Sequence, residues 1–134
     1  MKTKTIRQSV TLKASPHEIY EVLMDSKKHS KVTESKAHIS KKIGGKFSVW
    51  GGSINGTNLE LVPDKKIVQA WRSDEDTWPK GHYSKATFLL GKAKSGTRLK
   101  FVQTDVPIEA YESTKLGWRD YYWEPLKTFL KRAA

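Results

Sequence analysis

The sequence predicts an α+β fold in which a curved antiparallel sheet of about six or seven strands wraps around a long C-terminal helix. From residue 35 to residue 104 the apolar residues recur with a period near two, in short segments separated by turns that contain glycine or proline. From residue 111 onward the period becomes that of a helix. Strands followed by a helix favour layered α+β packing over alternating parallel units. Because 134 residues is a natural size for a single domain, we expect one domain spanning residues 1–134.

The start of the chain predicts one strand and one or two short helices. Residues 5–12 alternate apolar and polar side chains, which is typical of a half-buried strand. Ser15-Pro16-His17-Glu18 has the features of a helix start: a serine N-cap, a proline in the first turn, and a glutamate three residues after the cap. Residues 19–24 continue this as a short apolar helix. A second helical piece is expected around residues 28–32.

The middle of the chain predicts the sheet. A weak strand is expected at residues 35–40, and clearer strands at residues 46–50, 54–62, 67–72, 83–90 and 97–104. The pairs Gly44-Gly45 and Gly51-Gly52 bracket the first of the clear strands and predict tight turns. Gly56 lies inside a strand, where it indicates a bulge or the close approach of another element.

The last segment, residues 111–132, predicts the long helix that the sheet encloses. On a helical wheel at roughly 100° per residue, an arc of about 160° collects the apolar side chains. These are Leu116, Trp118, Tyr122, Trp123, Leu126, Phe129 and Leu130. Pro125 lacks the N–H that an α-helix needs, so we expect a kink near Tyr121 and Tyr122. An antiparallel sheet with short turns curls, and this helix is the segment suited to fill its concave side.

The formal net charge of +11 is concentrated near the N-terminus, where residues 1–47 carry eleven Lys or Arg against four Asp or Glu. The basic residues here are mostly lysines scattered among Ser and Thr, with the aromatic residues elsewhere, which does not resemble a nucleic-acid surface. The pattern leaves two interpretations, a solvated basic face or a face that docks an acidic protein partner. The candidate partner-binding residues are Lys27, Lys28, Lys31, Lys36, Lys41 and Lys42.

Residues that support catalysis or metal binding are sparse. The sequence contains no cysteine, which excludes disulfides and Cys-based zinc sites. The histidines, His17, His29, His38 and His82, lie neither at metal-ligand spacing nor in a nucleophile motif, and three occur in polar, surface-like stretches. Asp74-Glu75-Asp76 lacks the ligand spacing of a calcium loop. We therefore expect no metal, no cofactor and no enzymatic activity.

No stretch of the sequence reaches the length of a membrane-spanning segment, and no apolar segment follows the charged N-terminus. We therefore expect a cytoplasmic protein without membrane insertion. The absence of cysteine fits a reducing compartment.

A ligand cavity between sheet and helix is a second possibility that the sequence leaves open. Arg119 falls in the middle of the apolar arc, where it either extends past the sheet edge, pairs with a carboxylate such as Glu60, or anchors the polar group of a ligand. The large aromatic residues either fill the core or line a pocket. The candidate cavity residues are Trp50, Trp71, Tyr83, Trp118, Arg119 and Tyr122.

An ordered set of short motifs, spread over nearly the whole chain, resembles the C-terminal domain of the activator of the 90-kDa heat-shock protein ATPase. The motifs are residues 15–20 (SPHEIY), 44–47 (GGKF), Gly56, 61–68 (LVPDKKIV), 71–72 (WR), 78–79 (WP), 81–83 (GHY), 117–118 (GW) and 121–124 (YYWE). The resemblance implies the helix-grip fold of the START-like superfamily, which agrees with the architecture predicted above.

The same resemblance implies a non-enzymatic role, since this domain of the co-chaperone docks on the dimerised chaperone and helps to stimulate its ATP turnover. A heat-shock protein 90 type chaperone is therefore the expected partner, and the basic face would suit an acidic chaperone surface. The co-chaperone has a further N-terminal domain and linker that these 134 residues do not contain, so the resemblance supports binding more directly than full activation. The wider superfamily includes carriers of apolar molecules, and the alternative function is a carrier or sensor of a small hydrophobic ligand.

Overall fold

The computed structural model describes the backbone of residues 1–133 and the side chains of residues 1–130. Its strands are β1 (Thr3–Leu12), β2 (His38–Ile39), β3 (Lys46–Val49), β4 (Ile54–Val62), β5 (Lys66–Ser73), β6 (Ser84–Ala93) and β7 (Gly96–Pro107). Its helices are α1 (Pro16–Met24), α2 (Ser26–Thr33), α3 (Tyr111–Trp118) and α4 (Glu124–Ala133), with a π turn at Arg119–Trp123 and single 3-10 turns at Trp50–Gly52 and Ile108–Ala110.

The seven strands form one antiparallel sheet in the order β1-β7-β6-β5-β4-β3-β2. Strands β2 to β7 are joined in sequence as a meander, whereas β1 pairs with β7 and helices α1 and α2 connect β1 to β2 at the opposite edge. Helix α1 packs against β6 and β7, and α2 packs against α4. The predicted fold class, a curved antiparallel sheet around a C-terminal helix with short helices after β1, is confirmed.

Both short helices begin at side-chain caps. The Ser15 hydroxyl accepts a hydrogen bond from the Glu18 amide at 3.2 Å, and the Glu18 carboxylate accepts from the Ser15 amide at 3.5 Å, which completes the predicted capping box. Asp25 ends α1 and caps α2 by accepting from the Lys28 amide at 3.0 Å. This bond, reinforced by Lys41, lowers the pKa of the Asp25 carboxyl. Local sequence therefore determines where α1 and α2 begin.

Gly56 marks a close approach between neighbouring strands. A Cβ at this position would collide with the carbonyl of Ala70 and meet the Phe47 ring at 2.9 Å, so only glycine fits. The alternative interpretation of Gly56 was a β-bulge. A shift in the pairing register of β4 with β5 does occur, but between Asn58 and Glu60.

Just before Pro125, where the sequence predicts a kink near Tyr121 and Tyr122, the C-terminal helix contains the π turn at Arg119–Trp123. Here the Glu124 amide donates to the Arg119 carbonyl, a bond that spans five residues instead of four. Each residue of a π turn rotates about the helix axis by roughly 80° relative to the preceding residue, instead of 100° as in an α-helix. The arc that holds the buried side chains is therefore narrower. Arg119 and Leu116 consequently lie outside this arc, so their predicted place in the apolar face is wrong. The buried face consists of Trp118, Tyr122, Trp123, Leu126 and Leu130.

Candidate functional site

The space between the sheet and the C-terminal helix is almost completely filled. Trp118 lies at its centre, with ring centroids 4.3 Å from Phe101, 4.8 Å from Tyr122 and 5.5 Å from Trp71. The void that remains beside these rings measures about 20 Å³. Such a volume holds roughly one water molecule, whereas drug-sized ligands occupy pockets of about 300 Å³ or more. The interior is therefore a packed core.

Two hydrogen-bonded tryptophans hold the helix against the sheet. The Trp118 Nε1 donates to Gln103 at 2.7 Å, and Gln103 donates in turn to the Ser84 hydroxyl at 2.9 Å. The Trp123 Nε1 donates to Gln8 on β1, also at 2.7 Å. Because buried indole N–H groups are costly without a partner, these bonds select one position of the helix along the sheet.

An open groove lies beside this core, between α3 and the end of the sheet where β4 begins and β5 ends. We call it the Trp50 groove; its volume is about 310 Å³ and its main walls are Trp50, Trp71, Trp118, Tyr121, Asp74 and Glu75. Trp71 and Trp118 also line the small internal void, so their rings separate the groove from the core. The floor of the groove is thus aromatic, and acidic residues lie at its rim.

Trp50 has an unusual backbone conformation at the edge of the groove. Its φ is 56°, and Gly51 and Gly52 continue with φ of 66° and 100°. A bulky residue with positive φ is strained, and the strain persists only where surrounding contacts hold it. Here the Trp50 Nε1 donates to the Tyr122 hydroxyl at 3.1 Å, and the Trp50 ring packs edge-on against Tyr121 with centroids 5.4 Å apart. These contacts fix the orientation of the indole.

His29 completes this network from α2. Its Nε2 lies 3.1 Å from the Tyr122 hydroxyl, which already accepts the Trp50 proton, so the hydroxyl donates to an unprotonated Nε2. Burial lowers the pKa of His29 to about 4, an effect opposed by the carbonyls of Leu23 and Val22. Burial raises the pKa of the Tyr122 hydroxyl. Both groups are neutral near pH 7, where their hydrogen bonds position Trp50.

His29 was not identified as a site residue from the sequence, because it was not distinguished from the histidines in polar, surface-like stretches. It is 5% exposed and shares the inner face of α2 with Val32 and Thr33. The spacing of three and four residues between His29 and these two neighbours is the signal that could have identified it.

Two of the six predicted cavity residues lie away from the groove. Tyr83 is 45% exposed beside Arg72, so its predicted place in an interior cavity is wrong. The Arg119 side chain is 58% exposed and pairs with Asp120 at 2.9 Å, because the π turn directs it out of the apolar arc. The suggested partner of Arg119, Glu60, instead pairs with Lys66 at 3.2 Å. Trp50, Trp71, Trp118 and Tyr122 do converge at the groove.

All six predicted partner-binding lysines are exposed. Three lie on α2, and the other three lie in the segments on either side of β2. The two groups adjoin, because the Ile39 amide donates to the Ser26 hydroxyl at 2.8 Å and Lys41 Nζ lies 3.3 Å from Asp25. Within the part of the chain whose side chains are described, Lys41 alone among the six forms an ion pair. We call this surface the α2 basic face.

Neither a metal centre nor a membrane span is evident in the described structure. No group of three or more His, Asp or Glu side chains in residues 1–130 is arranged to hold a metal ion. The helices described over residues 1–133 include none with the length and apolar character needed to cross a bilayer.

A packed core in which an antiparallel sheet encloses the C-terminal helix defines a helix-grip domain of the START-like class. The chain belongs to the family described as Activator of Hsp90 ATPase homolog 1-like protein, whose model matches residues 13–131. The family resemblance expected from the sequence is therefore confirmed.

Two curated relatives share substantial sequence identity with the chain. The Activator of 90 kDa heat shock protein ATPase homolog from Dictyostelium discoideum is 39% identical over 118 residues, which cover 87% of this chain and 30% of the relative. The human Activator of 90 kDa heat shock protein ATPase homolog 1 is 32% identical over 117 residues, covering 87% of this chain and 34% of the relative. The chain thus spans about a third of the length of these relatives.

Solved structures with the same fold include a Plasmodium falciparum protein described as an HSP90 activator. It superposes with a TM-score of 0.87 at 24% identity, covering 95% of this chain and 96% of that one. A protein from Mesorhizobium loti superposes with a TM-score of 0.84 at 22% identity, covering 98% and 99%. At these identities the likeness extends to the fold.

Proposed function

We propose that this chain is a docking module that binds a heat-shock protein 90 type chaperone through the α2 basic face. The observation that carries the proposal is the set of exposed lysines on and beside α2, of which only Lys41 forms an ion pair among the side chains described in residues 1–130, in a family named for activation of that chaperone's ATPase. Lysines that form no ion pair with any side chain described in residues 1–130 remain available to an acidic surface. Such complementarity raises association rates and selects orientation.

The geometry of the face supports docking as a rigid unit. Lys27, Lys28 and Lys31 project from a helix that is capped at Asp25 and anchored to the C-terminal helix through buried His29. Little conformational freedom is therefore lost at the backbone when a partner binds. We place this interaction in the cytoplasm, and we propose that the chain acts by binding and not by catalysis.

Charge reversal tests the docking proposal. The variant carries Lys27→Glu, Lys28→Glu and Lys31→Glu, and biolayer interferometry measures its affinity for the purified chaperone. A matched control reverses three exposed lysines on the β6–β7 hairpin, namely Lys92, Lys94 and Lys100. We expect the α2 variant to bind roughly tenfold or more weakly, with the loss mainly in the association rate, and the control to change the affinity much less. Equal affinities for the two variants would contradict the proposal.

The Trp50 groove supports a second function, the binding of a small ligand. The core has no room for one, so a ligand would lie in the groove and not wholly between sheet and helix as a carrier requires. The volume of about 310 Å³ is at the lower end of ligand pockets, which run from about 300 to 1,000 Å³. Native mass spectrometry of freshly purified protein tests this function, because a bound small molecule adds a defined mass.

A further inference from the structure

We propose that the Trp50 groove binds a small organic ammonium ion, whose cationic head lies against the aromatic walls and near the carboxylates of Asp74 and Glu75. The inference rests on the second proposed function, ligand binding in this groove, and adds the chemical class of the ligand. It does not depend on chaperone docking.

The aromatic walls are suited to a cation. Trp50 and Tyr121 meet edge-to-face at an interplanar angle of 63°, and Trp50 and Tyr122 do so at 83°. Rings at steep angles to one another present their faces to different sides of the groove. Among the aromatic side chains, the face of Trp attracts ammonium groups most strongly. Tyr121 is 59% exposed, so part of this aromatic surface is open to solvent.

The rim of the groove supplies negative charge in a chain whose net charge is +11. Asp74 and Glu75 line the groove and are exposed, and neither carboxylate forms an ion pair with any side chain described between residues 1 and 130. A neutral apolar ligand would remove water from these carboxylates without replacing it, whereas a cation compensates them. The charges therefore favour an ammonium ion over a neutral molecule of the same shape.

The acidic loop is held in position by its backbone. The Asp74 amide donates to the Ser53 carbonyl at 2.8 Å, and the Glu75 amide donates to the Ser73 hydroxyl at 3.2 Å. The Trp78 amide donates to the Glu75 carbonyl at 3.0 Å, and the Trp78 ring is buried against Trp71. The rim is thus tied to Ser53, which immediately precedes β4, and to β5, the strand that carries Trp71.

The strained Trp50 backbone indicates that the groove is formed before binding. A positive φ at a large side chain persists where tertiary contacts over-determine it, and such residues cluster at binding sites. The bond from Trp50 Nε1 to Tyr122 supplies that constraint. A preformed site orders few side chains on binding, which leaves more of the interaction free energy as affinity.

Choline and its neutral carbon isostere, dimethylbutanol, form a matched pair of probes with the same shape and different charge. Each is titrated into the full chain, and heteronuclear NMR follows the indole N–H signal of Trp50. We expect saturable shifts with choline, with a dissociation constant on the order of 1 mM, and roughly tenfold weaker binding of the isostere. Equal binding of the two probes would overturn the ammonium assignment while preserving ligand binding in the groove. No saturable shift with either probe at roughly tens of millimolar would remove both proposals.

Single-charge variants of the acidic loop test the role of the rim. Glu75→Gln removes a carboxylate that lines the groove, and Asp76→Asn removes its exposed neighbour, which does not. We expect Glu75→Gln to weaken choline binding several-fold, on the order of three- to tenfold, and Asp76→Asn to change it by less than about twofold. Equal effects would show that only the general field of the loop acts on the cation, which would overturn the site.

Discussion

Buried His29 makes the stability of the fold depend on pH. In the folded chain the pKa of His29 is about 4, below its ordinary value of 6.5, because burial disfavours the imidazolium. Between these two values the unfolded chain binds a proton that the folded chain does not. The free energy of unfolding therefore falls as the pH is lowered through this window, and the contribution of neutral His29 is fully present above about pH 7.

The size of this effect follows from the two pKa values. The slope approaches about 1.4 kcal/mol per pH unit, and between pH 7.5 and pH 4 the free energy of unfolding should fall by about 3 kcal/mol on account of His29. Carboxylates whose pKa is lowered on folding, such as Asp25, act mainly at still lower pH. The contribution of His29 to the pH dependence therefore lies between roughly pH 4 and 6.5.

Urea denaturation followed by tryptophan fluorescence, at a series of pH values, measures this dependence. The variant His29→Gln removes the titrating ring, and His38→Gln is a control at an exposed position. We expect the difference in stability between wild type and His29→Gln to change by about 3 kcal/mol across the window, in the variant's favour as the pH falls. The same pH dependence in wild type and His29→Gln would refute the reasoning.

Two further predictions concern the helix and its contacts, and a third concerns the number of domains. Tyr122→Phe leaves the N–H of Trp50 and the Nε2 of His29 without their partner, so urea denaturation should show a loss of about 1 to 3 kcal/mol, whereas Tyr121→Phe at an exposed position should change stability little. Gly117→Ala should increase the free energy of unfolding by about 0.5–1 kcal/mol and so raise the melting temperature, because the added Cβ meets only the Tyr121 ring at 3.6 Å. If residues 1–134 form one domain, calorimetry should record a single cooperative transition, and two separate transitions would contradict that prediction.

The sheet and the first helices follow from local sequence signals. The capping box at Ser15 and Glu18 defines the start of α1 because its two hydrogen bonds involve only neighbouring residues. The alternation of apolar side chains defines the strands for the same reason, since one face of each is buried. Gly56 indicates a close approach of β4 to β5, because no larger residue fits against the Ala70 carbonyl.

The groove depends on features that local patterns do not contain. A helical wheel assumes a constant rotation per residue, so it placed Arg119 inside the buried arc. The π turn changes this rotation, and the Arg119 side chain lies outside the arc. The left-handed backbone of Trp50 is imposed by contacts with Tyr121 and Tyr122, which are distant in sequence. Whether aromatic residues fill a core or line a pocket is likewise decided by packing between elements.

Mapping the chaperone-bound surface by NMR tests the central proposal most directly. Isotope-labelled protein is titrated with the purified heat-shock protein 90 type chaperone, and the loss of backbone amide signals is recorded for every residue. We expect the earliest losses at residues 27–31 and 36–42, on the α2 basic face, with the Trp50 groove little affected. Losses confined to residues 50–54, 73–75 and 113–122, or no losses at all, would contradict docking through the basic face.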